Sequence, residues 1–215
     1  DEVGRREHGV QVVSAADPGH PHVEPRGAAR HRLADAKIDD DLKKAGPAWE
    51  SFQQSRYDDL HRSLAVIVNN PGIISLLTET DASTILDTLK AEQASNARAD
   101  FLLASDLGGR VIARTDRPLG YTADLSRVPT ISGALEGEQT RGIWLSGQKL
   151  YHVVAAPVLE GGTRIVGVIA AAFQINDDVA RNLKRLMNTQ VVFLADPADP
   201  KGPPRPVVAA STMEE

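Results

Sequence analysis

Residues 99–129, ADFLLASDLGGRVIARTDRPLGYTADLSRVP, and 141–175, RGIWLSGQKLYHVVAAPVLEGGTRIVGVIAAAFQI, carry the pattern that decides the fold. In the first, Phe101 to Ser105 is a short apolar strand, Asp106 to Gly109 is a turn, and Arg110 to Thr115 is the returning strand. Asp116 to Val128 holds Pro118, Gly120 and Tyr121, is followed by Pro129, and reads as a long ordered loop; Pro129 to Leu135 then starts a short helix closed by Gly137. In the second, Gly142 to Ser146, Lys149 to Leu159 and Arg164 to Ile175 are strands joined by the turns Ser146-Gly147 and Glu160-Gly161-Gly162. Hairpins of apolar strands around one helix, with no catalytic motif among them, suit a binding pocket.

Upstream the period is helical. From Arg32 to about Asn69, Leu42, Ala45, Trp49, Phe52, Leu60, Leu64 and Ile67 recur at steps of three and four, with Arg56 the one polar member of the stripe. A helix of about 35 residues would be roughly 50 Å long, more than a small domain spans, so part of it must project or pair with another helix. Gly46 and Pro47 predict a kink or a break. Asn69 to Gly72 stop the helix, and Asp81 caps another that runs to about Asn96 and buries Ile85, Leu86 and Leu89.

Downstream, Asn176 or Asp177 caps a helix to Met187 with Val179, Leu183, Leu186 and Met187 inward. Val191 to Ala195 is expected to return to the sheet, the proline-rich segment 196–206 is a loop, and Val207 to Ala210 is a further strand. Residues 1–30 hold three prolines and little apolar sequence beyond Val10 to Val13, and read as disordered or foreign to the folded part. His20 and His22 there lack a carboxylate cluster and read as a solvated loop.

The 215 residues, 41% apolar and 25% charged, are enough to bury a core. Twenty-nine acidic against 24 basic residues, without a basic run, exclude a phosphate-tracking surface, so no nucleic acid is expected. Without cysteine there are no disulfides, thiolate metal sites or cysteine nucleophile. The longest apolar run, Ile165 to Phe173, is about half the ~20 residues of a membrane helix. Nucleophile-elbow, P-loop, dinucleotide and zinc-protease motifs are all missing, and a serine and histidine pair such as Ser146 and His152 is what remains for a hydrolase reading.

These phrases in this order resemble the double Cache family of bacterial extracytoplasmic sensors, found on sensor kinases, nucleotide cyclases and chemoreceptors. The resemblance rests on AWESFQQSRYDDLHRSLAVIVNNPGI, DFLLASDLGGRVIARTDRP, LSRVPTISGALEGE, GIWLSGQKLYHVVAAPV and RIVGVIAAAFQINDDVARNLKRLMNTQVVFLA, and covers about residues 31–212. It implies an α+β fold, a long N-terminal helix leading into a PAS-like antiparallel sheet with flanking helices. It also implies a division into a helical stem over 31–98 and a PAS-like Cache sensor domain over 99–215, truncated at its C-terminus. The implied function is that of a non-catalytic input domain on the periplasmic or extracellular side of the bacterial inner membrane, anchored through segments outside this chain. The implied partners are a small-molecule ligand, such as a small organic acid or amino acid, and a second copy paired through the N-terminal helix; no metal or cofactor is implied. The alternative is a PAS-like structural or protein-interaction module that takes no small molecule.

In such sensors the ligand lies between the sheet and the loop and helix covering it, which makes Arg114, Asp116, Tyr121, Trp144 and Tyr151 the candidate binding residues. Arg114 can clamp a carboxylate through its planar fork or pair with Asp116 two residues on. Trp144 can line a pocket or sit in the core with its indole satisfied. Tyr151 and His152 are adjacent on one strand and must face opposite sides of the sheet, with Tyr151 sharing a face with Val153 and Ala155 and favoured as the pocket residue.

Overall fold

The structure, a computed structural model, describes residues 11–15, 27–79, 81–95, 99–187, 190–195 and 207–212. His20, His22, the 196–206 loop and most of 1–30 lie outside these. In chain order the elements are β1 (Gln11–Ala15), α1 (Gly27–Val68), α2 (Pro71–Glu79), α3 (Ala82–Ser95), β2 (Phe101–Ser105), β3 (Val111–Arg114), α4 (Pro129–Leu135), β4 (Thr140–Ser146), β5 (Lys149–Glu160), β6 (Arg164–Ile175), α5 (Asp177–Met187), β7 (Gln190–Ala195) and β8 (Val207–Ser211). The fold is α+β, with a five-stranded antiparallel sheet in the order β3-β2-β6-β5-β4. Contacts group the chain into two compact units, Asp1–Gln53 with Leu145–Leu150 and Ile175–Glu215, and Gln54–Trp144 with Tyr151–Gln174.

The second of these units holds a sheet covered on both faces. β2 lies between β3 and β6, with Leu103 opposite Arg114 on one side and Ala170 on the other. Alternation sends Leu102, Ala104, Val154, Ala156, Val158, Ile169 and Ala171 to one face, where they pack on Tyr57, Leu60, Leu64 and Ile67 of α1, Ile73 and Leu77 of α2, and Ile85, Leu86 and Leu89 of α3. The other face carries Phe101, Leu103, Tyr151, Val153, Ala155, Val168, Ala170 and Ala172, against Ile131 and Ala134 of α4 and Tyr121, Leu125 and Val128 of the long loop.

The first unit holds a separate three-stranded sheet, β1-β7-β8, in which β7 pairs antiparallel with both neighbours. The expectation that residues 191–195 rejoin the main sheet is therefore corrected, because an apolar strand shows its length but not its partner. α5 is capped by Asn176, whose Oδ1 accepts the Val179 N–H at 3.2 Å, and Asp177 accepts the Ser211 N–H at 3.0 Å. It buries Val179, Ala180 and Leu183, whereas Leu186, expected inward, is 72% exposed; the Met187 side chain lies outside those described.

Three helical details differ from expectation. α1 runs through Pro47 as one helix, so of the expected kink or break the break is ruled out, since one missing N–H leaves the other bonds of each turn intact. The stripe extends to Tyr57, which is buried, while Leu42 and Ala45 lie outside the described side chains. Pro71 does not only stop α1; it opens α2, where a first-turn proline gives up an N–H that has no helical partner anyway. Asp81 caps α3 as expected, accepting from Ser83 and Thr84, and these bonds hold its pKa at about 2.

Candidate sensory site

The β2–β3 hairpin positions the site. Asp106 Oδ1 accepts the N–H groups of Gly108 and Arg110 at 2.8 and 2.9 Å, which makes the aspartate a turn-former. Gly109 has φ +75°, and a Cβ there would stand 2.7 Å from the Ser126 Cα, so only glycine lets the covering loop approach the turn. The loop is tied down here by Val111 N–H to the Ala123 carbonyl and Leu125 N–H to the Gly109 carbonyl, both 2.9 Å. Asp124 accepts from the Ser126 hydroxyl and N–H, and these bonds lower its pKa.

At the other end of the loop Arg114 is buried with its guanidinium 3.8 Å from the Phe101 ring centroid. Its fork grips Asp116, Nε to Oδ1 at 2.6 Å and Nη2 to Oδ2 at 3.0 Å. The Tyr151 ring meets Phe101 edge-on at 5.1 Å; burial, with Asp116 next, raises its phenol pKa. Tyr121 packs on the same cluster from the loop, with the Arg117 guanidinium 5.7 Å from its ring. Arg114, Asp116 and Tyr151 thus gather around Phe101, a residue that sequence reasoning passed over as one more apolar strand position.

Trp144 packs on this cluster from β4, and its indole N–H donates to Thr130 Oγ1 at 2.8 Å. Thr130, buried at the start of α4, is the second residue missed. His152 faces the other way, edge-on to the Tyr57 ring at 5.1 Å, on the helix-covered side. An open depression of about 450 Å³ lies elsewhere, between Leu77 and Thr78, the 106–108 turn and residues 164–166. It contains none of the five candidate residues and no buried charge, so the cluster under the loop is the better candidate despite that volume.

An antiparallel sheet with helices on one face and an ordered loop and short helix on the other, closing over a buried arginine and aromatic walls, is a PAS-like sensory domain. The chain belongs to the double Cache family described as the double sensory domain of two-component sensor kinases, whose model matches residues 36–213. A sensory domain of this family is an input part of a signalling protein and not its catalytic part. No curated protein sequence matches the chain significantly.

Two solved structures with TM-scores of 0.50 or more share the fold. The sensor domain of the Vibrio cholerae histidine kinase DctB aligns with a TM-score of 0.53 at 14% identity, over 67% of this chain and 57% of that one. The periplasmic domain of V. cholerae LuxQ gives 0.50 at 16%, over 80% and 79%. The ligand-binding domain of the Campylobacter jejuni chemoreceptor Tlp3, in complex with 4-methylisoleucine, gives 0.48 at 15%, over 77% and 66%. The chain therefore spans little more than half of the DctB sensor domain. Among the described residues no helix is long and apolar enough to cross a membrane.

Proposed function

We propose that this sensory domain binds a small organic acid or amino acid between the five-stranded sheet and the 116–128 loop, with Arg114, Asp116, Tyr121, Trp144 and Tyr151 as the contact residues. The observation that carries this reading is the Arg114–Asp116 fork, buried at its arginine end and open to solvent at its aspartate end. Opposite charges held side by side complement a zwitterion: the carboxylate of an amino acid takes the guanidinium, its ammonium takes the aspartate, and the aromatic rings receive the side chain. In this reading residues 31–98 are the helical stem, which pairs with a second copy, and residues 99–215 are the sensing part. The domain faces the periplasm as part of a membrane protein whose anchor and output module lie in other segments.

A thermal-shift screen with L-amino acids and small carboxylic acids tests this. A ligand at 100 times its Kd adds about 2.7 kcal/mol, and about 5–10 °C is the matching shift for a domain of this size. Arg114→Met and Trp144→Phe should each reduce the shift; shifts unchanged in both remove the assigned site. The competing reading, a module that takes a protein and no small molecule, draws on the packing of Tyr121, Leu125 and Val128 onto the sheet. A panel without any shift, together with capture of a defined protein partner, would favour it.

A further inference from the structure

Edge strand β4 is gripped from both sides by elements with different tasks. On one side is α4, which continues the covering loop through the Val128 N–H to Leu125 carbonyl bond at 2.9 Å. Thr130 of α4 takes the Trp144 indole N–H on its hydroxyl at 2.8 Å and the Thr140 hydroxyl on its carbonyl at 2.5 Å. The seat has no spare room: a Cβ on Gly142 would stand 2.8 Å from Thr130 Cγ2, and one on Gly133 would stand 2.7 Å from Thr140 Cγ2. Thr140, Gly142 and Trp144 alternate along β4, so they share the face on which α4 rests.

On the other side is α1. The Tyr57 hydroxyl donates to the Gly142 carbonyl at 3.2 Å. Arg141, pointing opposite to its neighbours, donates from Nη1 to Gln54 Oε1 at 2.7 Å and lies 5.2 Å from the Tyr57 ring centroid. Thr130 and Tyr57 are only 5% and 7% exposed and both bonds are part-buried, so letting go of either leaves a polar group with restricted access to water. Gly142 is thus held by the covering helix through its Cα and by the long helix through its carbonyl.

We infer that β4 is the mechanical link by which a movement of α4 over the sensory site reaches α1. The inference rests on the sensing reading above. β4 is the strand suited to this task, because at the sheet edge it has one ladder neighbour, β5, and can shift without breaking two ladders. A ligand entering under the loop displaces α4; the close seat on Gly142 leaves β4 no way to stay behind, and Tyr57 and Gln54 carry the shift into α1. Packed contacts of this kind switch between discrete arrangements and do not stretch.

Amide hydrogen exchange on the full chain tests the link without any ligand. Thr130→Val, which keeps the volume and removes the indole's acceptor, should speed exchange of residues 54–64 by about fivefold or more, the low end of ordinary site-to-site coupling. Amides of α2 and α3 should hold their rates. Tyr57→Phe should act reciprocally on residues 130–136, and Thr130→Ser, which restores the hydroxyl, should return the 54–64 rates toward the parent. If Thr130→Val alters 54–64 no more than Ile131→Val, a buried change in the same helical turn, or speeds α2 and α3 equally, the link is wrong. Loss of this coupling with ligand shifts intact overturns the link alone; absence of ligand shifts with the coupling intact overturns the sensing reading alone.

Discussion

His152 makes the folded domain acid-sensitive in a way that can be worked out in advance. The ring is fully buried on β5, against the Tyr57 edge, and burial first, then the Arg56 guanidinium, push its pKa from the ordinary 6.5 down to about 4. Above pH 6.5 the ring is neutral in both folded and unfolded chains and the shift has no effect on stability. As pH falls below 6.5 the unfolded chain takes up a proton that the folded chain refuses, so stability is lost until the folded ring also protonates near pH 4. Linkage gives a loss of about 2 kcal/mol by pH 5 and about 3 kcal/mol by pH 4. His61, lowered by burial and then Arg141, adds to the same trend, and the carboxylates add their own, so the parent is compared with His152→Gln. Urea unfolding of both from pH 7.5 to 4 isolates the histidine: the stability difference, parent minus variant, should fall by about 2 kcal/mol between pH 7 and 5. A difference that stays flat across that interval would falsify the claim that the ring is held neutral by its burial.

Asp116→Asn leaves the buried Arg114 with a neutral partner and should lower unfolding stability by about 1–3 kcal/mol, less than for a fully enclosed pair because the aspartate end is wet; chemical denaturation reads it, and a loss below 0.5 kcal/mol would put the fork among ordinary surface pairs. Gly109→Ala forces a side chain into a left-handed backbone and against Ser126, and should cost at least about 1 kcal/mol. Limited proteolysis should then cut the 116–128 loop faster than in the parent; an unchanged cleavage rate would mean that the loop is not anchored at this turn.

Much of the fold was legible because local period is a property of the chain itself. Phe101 to Ser105, Pro129 to Leu135 and Arg164 to Ile175 appear with the bounds read from sequence, since alternation, Pro at a first turn and glycine-rich turns act over a few residues. Pro71-Gly72 misled for the same reason, as a proline that ends one helix can begin the next, and only the buried Ile73 and Leu77 show which. The faces of Tyr151 and His152 followed from strand alternation, whereas Tyr57 fell off the counted stripe and proved buried. What sequence could not decide were choices between partners. Arg114 two residues before Asp116 is equally a free fork or a closed pair until Phe101 is placed beneath it. β7 is apolar enough for either sheet, and Thr130 looks like any helix-start threonine until Trp144 arrives from 14 residues away. Backbone preference acts between neighbours in the chain, while the burial that closes an ion pair or satisfies an indole is set by residues far apart in it, and these only the tertiary structure brings together.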